Sequence, residues 1–197
     1  MKFLLATTNE GKIREYRHLL GKAGLGFVTL ADAGITEKPE ETGETCEENA
    51  ILKARFYFEK SGAMPTLADD GGLEIDVLGG EPGSRSRRWP GHEASDEELV
   101  QYTIERLKGI PLEKRTARLT AVLAVMPRQG EIRTFAGALQ GRIVEEPHYP
   151  IIPGYPFRSL FYEFRTGKVL AELPIEELPN GHREQAITKA LPYLLSL

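Results

Sequence analysis

The sequence predicts an α/β fold, on three observations. An apolar run over residues 3–6 stops at a polar, Gly-containing turn, and apolar residues at helical spacing follow. Thr45 and Glu48 form a capping pattern that opens a second helix. Further along, residues 73–77, 117–126 and 132–139 are short apolar or alternating runs of strand type. The 197 residues fit one domain spanning 1–197, with room for two lobes around a cleft.

Residues 3–6 read as a buried strand. Ile13, Tyr16, Leu20 and Ala23 then mark a helix, and Gly21 and Gly24 offer stops. Thr7, Thr8, Asn9, Glu10, Gly11 and Lys12 fall in the connecting loop. Residues 36–44 are acidic and contain Pro39 and Gly43, so they are expected as a loop. The helix from Thr45 should run to about Lys60. Ala50, Ala54 and Phe58 share its core face, while Thr45, Asn49 and Lys53 share another. Residues 66–68 lead into Asp69-Asp70-Gly71-Gly72, which places both aspartates at the end of a strand. Leu73, Ile75 and Val77 alternate with Glu74 and Asp76, a strand with one wet face.

Residues 79–91 read as a long loop carrying Arg85, Arg87 and Arg88. Ser95 and Glu98 cap another helix, ending at Gly109. Residues 117–126 and 132–139 read as neighbouring strands joined through Pro127-Arg128-Gln129-Gly130, and residues 147–156 as a Pro- and Tyr-rich loop. The final helix starts near Arg183 and turns Ala186, Ile187, Ala190, Leu191 and Leu194 inward. Pro192 is expected to kink or shorten it.

A hydrophobic fraction of 41% and a charged fraction of 27% describe an ordinary soluble globular chain. The net charge of −4 excludes a broad basic footprint for nucleic acid, so an anionic ligand would need local positive charge or a metal. The apolar run after Met1 is too short for a signal peptide, and no run approaches the ~20 apolar residues that span a bilayer. With one cysteine, Cys46, no intrachain disulfide can form. It lies among acids that disfavour a thiolate and reads as a packing residue. A reducing cytoplasm is the expectation.

Three features could carry chemistry. The loop from Thr7 to Lys12, between a strand and a helix N-terminus, can offer backbone N–H groups and a helix dipole to phosphate, with Lys12 adding charge. It lacks a Walker sequence and equally fits an ordinary strand-to-helix turn. The acids Glu40, Glu41, Asp69 and Asp70 suit a hard cation; a solvated acidic turn fits Glu40 better than it fits the aspartates, which sit between apolar runs. Gly181-His182-Arg183 could meet a phosphate or purine carbonyl through Arg183 and a base through His182, or could be a surface helix start.

Taken in order, these segments resemble the inosine triphosphate pyrophosphatase family. The similarity lies in Thr7-Thr8-Asn9-Glu10-Gly11-Lys12, in the long block from Glu41-Thr42-Gly43 through Glu48-Asn49-Ala50 to Lys53-Ala54, and in Ala68-Asp69-Asp70-Gly71-Gly72-Leu73. It continues through Leu78-Gly79-Gly80, Pro82-Gly83, Ser86 and Arg88 to Gly181-His182-Arg183. The resemblance spans essentially the whole chain. Departures sit towards the C-terminus. The family's Gly-Tyr-Asp-Pro stretch is Pro156-Phe157-Arg158-Ser159, a family lysine is replaced by Glu177 or Leu178, and the serine after the two aspartates is Gly71.

The resemblance implies an elongated mixed sheet flanked by helices, two lobes with a central cleft, and a homodimer. It implies hydrolysis of deaminated purine nucleoside triphosphates to monophosphate and pyrophosphate, with Mg2+ held by Glu41 and Asp70. Asp70 would also orient or deprotonate the attacking water. Thr7, Thr8, Asn9, Glu10, Gly11, Lys12 and Lys53 would bind the triphosphate, with Gly71 leaving room and Arg88 as a phosphate or cross-dimer contact. Phe157, Arg158, His182 and Arg183 would line the base end. No nucleic acid or membrane partner is implied. A pyrophosphatase with another base preference and a nucleotide-binding protein with little turnover are the competing readings.

Overall fold

In a computed structural model, the structure describes residues 2–174 and 180–197. The strands are β1 (Lys2–Ala6), β2 (Gly26–Thr29), β3 (Thr66–Ile75), β4 (Thr116–Arg128), β5 (Glu131–Ile143), β6 (Phe161–Glu163) and β7 (Lys168–Val169). The α-helices are α1 (Glu10–Lys22), α2 (Cys46–Lys60), α3 (Asp96–Arg106) and α4 (His182–Leu194). The strands form one hydrogen-bonded sheet in the order β2-β1-β3-β4-β5-β6-β7. β1 is parallel to β2 and β3, whereas β6 is antiparallel to β5 and β7, so the sheet is mixed and the α/β expectation holds.

The chain forms two compact units. The first comprises residues up to 71, 121–137 and 180–197. On one side of its strands, Phe3, Leu5, Leu67, Leu123 and Val125 meet Ile13, Tyr16 and Leu20 of α1 and Ala186, Ile187, Ala190 and Leu194 of α4. On the other, Leu4, Ala6, Ala68 and Ala124 meet Ala50, Ala54, Tyr57 and Phe58 of α2. Each strand residue thus faces opposite to its neighbour, as period-2 geometry requires, and both faces are covered by helices. The second unit comprises residues 72–120 and those after 137 up to 179. Its core joins Leu73, Ile75, Leu99, Val100, Leu107, Ile143, Phe157, Leu160, Phe161 and Leu170.

Most local expectations hold. Thr45 and Glu48 form a reciprocal capping box on α2, and Ser95 accepts from Glu98 N at the start of α3. The opening loop is shorter than expected. Asn9 is the N-cap of α1, so Glu10, Gly11 and Lys12 belong to its first turn. α4 begins at His182, and Pro192 lies within its last turn without ending it. Val77 is 43% exposed in a 3-10 turn beyond β3.

Asp69-Asp70 is not the end of a strand as expected: β3 runs through Asp69-Asp70-Gly71-Gly72, from Thr66 to Ile75. The two glycines look like turn residues, but Gly72 serves a close approach. A Cβ there would lie 2.0 Å from the Gly83 carbonyl oxygen. The aspartates are therefore fixed inside a strand, both buried, rather than at its end.

Candidate active site

The functional residues of the first unit come from five segments. β1 leads into the N-terminus of α1, where Thr7 Oγ1 accepts from Asn9 N at 3.2 Å and Asn9 Oδ1 from Lys12 N at 3.1 Å. This fixes the Thr7–Asn9 turn and leaves Thr8 exposed. The acidic segment is held to α2 by a clamp. Gly43 N donates to Asn49 Oδ1 at 2.8 Å, and Asn49 Nδ2 donates back to Gly43 O at 3.3 Å. The position tolerates no side chain, since a Cβ on Gly43 would lie 2.7 Å from Asn49 Oδ1. That clamp accounts for the spacing between Gly43 and Asn49 and sets Glu41 near Lys53, one turn further along α2.

Lys53 ties the acids together. Its Nζ lies 2.5 Å from Asp70 Oδ1 and 3.5 Å from Glu41 Oε1. Burial works against the Lys53 charge, but Asp70 and Glu41 more than offset it. Burial is also the largest influence on Asp70 and lifts its carboxyl above the usual range, with Lys53 and Lys12 opposing. The other Asp70 oxygen, Oδ2, is buried and accepts no hydrogen bond among the described residues.

Asp69, next along the same strand, faces a different set of groups. Tyr16 Oη donates to its Oδ2 at 2.8 Å, Arg183 Nε donates to the same oxygen at 3.2 Å, and Lys12 pairs with Oδ1. Burial alone would raise this carboxyl, yet Lys12 and Arg183 hold it well below the usual carboxylate range. Burial, then the Asp69 charge, lift the Tyr16 phenol well above its ordinary value, so it stays a donor. Arg183 Nη1 reaches Glu15 Oε2 at 3.2 Å and His182 Nε2 at 3.0 Å. A guanidinium only donates, so His182 Nε2 is the acceptor in this contact.

Lys12, Lys53, Glu41, Asp70, His182 and Arg183 thus belong to one unit and one ionic constellation, and Glu40 is exposed outside it. Glu15 and Tyr16 were not expected in the site, Tyr16 being read only as an apolar position of the first helix. The available signal was spacing: Lys12, Glu15 and Tyr16 lie at i, i+3 and i+4, on one face of α1.

Gly71, next to Asp70 in β3, is the last residue of this stretch of the first unit, while Arg88, Phe157 and Arg158 belong to the second. Arg88 is exposed at the end of the 3-10 turn Gly83–Arg88. Phe157 is buried in the core of its unit. Arg158 is buried, and its Nη2 donates to Leu170 O at 2.6 Å and Leu173 O at 2.7 Å. Glu177 and Leu178 lie outside the described residues.

Fold and centre together define an α/β protein with a mixed sheet and a buried ionic cluster at its strand-to-helix loop. The chain belongs to the Ham1 family, whose model matches residues 3–193. It is 41% identical to the dITP/XTP pyrophosphatase of Symbiobacterium thermophilum, covering 100% of this chain and 96% of that one. It is 39% identical to the dITP/XTP pyrophosphatase of Bacillus subtilis over 94% of this chain and 93% of that one. The solved structure of a HAM1 protein from Coxiella burnetii is similar with a TM-score of 0.85 at 32% identity, each chain covered fully.

Proposed function

We propose that this protein hydrolyses deaminated purine nucleoside triphosphates, such as dITP, ITP and XTP, to monophosphate and pyrophosphate. The named activity of its full-length relatives supports the reading. The structural observation that carries it is the buried Asp70, one oxygen held by Lys53 and the other without a hydrogen bond among the described residues.

A buried carboxylate with one oxygen that accepts no hydrogen bond among the described residues suits a general base. Asp70 would take a proton from water as the water oxygen bonds to phosphorus and the α–β bridging oxygen leaves with pyrophosphate. Lys53 and Lys12, with the N–H groups at the start of α1, would bind the phosphates and offset their charge. Arg183, held by Asp69 and Glu15, would donate to the 6-keto oxygen of the base, and His182 would lie against the ring.

The donor set fits magnesium. Glu41 and Asp70 offer hard carboxylate oxygens, one of them the Asp70 Oδ2 that accepts no hydrogen bond among the described residues. Among those residues no group of three His, Cys, Asp or Glu side chains is placed to hold a metal ion. Magnesium is commonly bound by one or two carboxylates, water and substrate phosphates, so Glu41 and Asp70 would suffice. When bound, the ion would neutralise phosphate charge and polarise the bond that breaks.

A homodimer and a cytoplasmic location complete the proposal. Among the described residues no helix is long and apolar enough to cross a membrane. The deciding experiment is a panel of nucleoside triphosphates with magnesium, assayed separately for pyrophosphate and orthophosphate. Pyrophosphate release that favours ITP and XTP over ATP is expected. Orthophosphate release, or no turnover of any triphosphate, overturns the reading.

A further inference from the structure

The position of Arg183 is controlled from two places that touch neither phosphate nor base in the reading above. The first is the backbone of β5. Gly137 is buried, and a Cβ built on it would lie 2.0 Å from the His182 carbonyl oxygen, 2.8 Å from Gln185 Cβ and 3.0 Å from Ala186 N. Two of these three are backbone atoms of α4, which cannot rotate away as a flexible side chain can. The first turn of α4 therefore rests directly on the β5 main chain, at a distance that only glycine allows. A neighbouring tether acts at the same place: Lys189 Nζ donates to Ala136 O at 2.6 Å.

The second control is Glu15 on α1. Its Oε2 receives Arg183 Nη1 at 3.2 Å while Asp69 receives Nε, so two carboxylates on different elements grip different edges of one guanidinium. Both side chains of the Glu15–Arg183 pair are largely buried, with relative exposures of 12% and 7%. A planar guanidinium held at two edges has a fixed plane, and the direction of its donors is fixed with it.

We infer that Gly137 and Glu15 are positioning residues that set base selectivity. Gly137 fixes where the α4 N-terminus stands, and Glu15 fixes the orientation of Arg183. This rests on the assignment of Arg183 as the group that reads the 6-keto oxygen. A donor aimed at a keto oxygen separates hypoxanthine from adenine only while its direction is held. Misplacement by about 1 Å is enough for ~100-fold effects in well-oriented sites.

The test measures kcat/KM for ITP and for ATP in wild type, Gly137→Ala and Glu15→Gln, with Tm recorded for each. General damage lowers both values together and leaves their ratio unchanged, so the ratio reports positioning. The inference expects the ITP-to-ATP ratio to fall ~10-fold or more in each variant, while pyrophosphate remains the product. Should Gly137→Ala yield no folded protein, Glu15→Gln, which adds no bulk, carries the test alone. A wild type that prefers ITP, with variants that keep its ratio, overturns the inference and leaves the base-reading assignment standing. A wild type with no preference for ITP removes the assignment itself, and the inference with it.

Discussion

Arg183 Nε donates to Asp69 Oδ2 at 3.2 Å across 114 positions of sequence. That bond separates the roles of two adjacent aspartates. Asp69 is fully buried and surrounded by Lys12, Tyr16 and Arg183, whereas Asp70 meets Lys53 and keeps one oxygen without a hydrogen bond among the described residues. Asp69→Asn would leave Lys12 and Arg183 short of their counter-charge. Removing one partner of a buried pair destabilises by about 3–5 kcal/mol, so a large drop in Tm is expected. Asp70→Asn should lower kcat by ~100-fold or more with a much smaller change in Tm. Thermal unfolding and steady-state kinetics on both variants check this, and the opposite pattern would exchange the two roles.

The same environment predicts an acid dependence. The Asp69 carboxyl is held below its ordinary range, so its ionised form favours the folded state. For a depressed carboxylate, the stability gained is present above the unfolded value of ~3.9 and is lost as pH falls through the lower, folded value. The stability gap between wild type and Asp69→Asn should therefore be constant near neutrality and narrow below about pH 4. Urea unfolding midpoints of the two proteins across that range measure it; a gap that widens in acid would contradict the assignment.

Arg158 stood out in the sequence as a departure from its family near the base-binding end. In the structure its Nη2 serves the carbonyls of Leu170 and Leu173. Arg158→Met should leave buried carbonyl acceptors unpaired and destabilise by about 1–3 kcal/mol. If bracing is its whole role, the relative kcat/KM values for ITP, XTP and GTP stay as in wild type. A changed ranking at unchanged Tm would return Arg158 to the base pocket.

What the sequence revealed was mostly what is local. The Thr45–Glu48 capping box, the Ser95 cap and the core face of α2 depend on neighbours within one or two turns, and all three are present. The strand end expected at Asp69 and Asp70 failed because the glycines that follow answer to a distant contact. Nothing in Asp69-Asp70-Gly71-Gly72 reveals that Gly72 must clear the Gly83 carbonyl and Ser86 Oγ. Gly72→Ala should accordingly be strongly destabilising, beyond the 1–3 kcal/mol typical of an extra methylene in a packed core, because the obstacle is main chain. Loss of soluble protein or a large fall in Tm is expected, and a neutral substitution would show that the approach relaxes easily. The pairing of Tyr16 and Glu15 with the acidic and basic centre was hidden for the same reason, since their partners lie 53 and 168 positions away.

Glu41 offers the sharpest test of the proposed metal. Its carboxylate lies 3.5 Å from Lys53 Nζ, and its side chain is 36% exposed, so it has both a fixed neighbour and access to solvent. Two roles are compatible with that geometry. As a metal ligand, Glu41 supplies a hard anionic oxygen beside Asp70, and Glu41→Gln weakens the ion while leaving the nucleotide contacts in place. As a counter-charge only, it helps to keep Lys53 protonated, and the same substitution acts on phosphate binding. The two differ in what excess magnesium can do. Altering even the surroundings of a metal ligand commonly changes affinity ~10–100-fold, so loss of the ligand itself should raise the magnesium concentration for half-maximal rate by at least ~10-fold. Saturating magnesium should then recover a substantial part of kcat. In the counter-charge case the magnesium titration superimposes on wild type and KM for the nucleotide rises instead. Initial rates at fixed nucleotide, titrated with magnesium after chelation, separate the two, and a superimposable titration would remove Glu41 from the metal site.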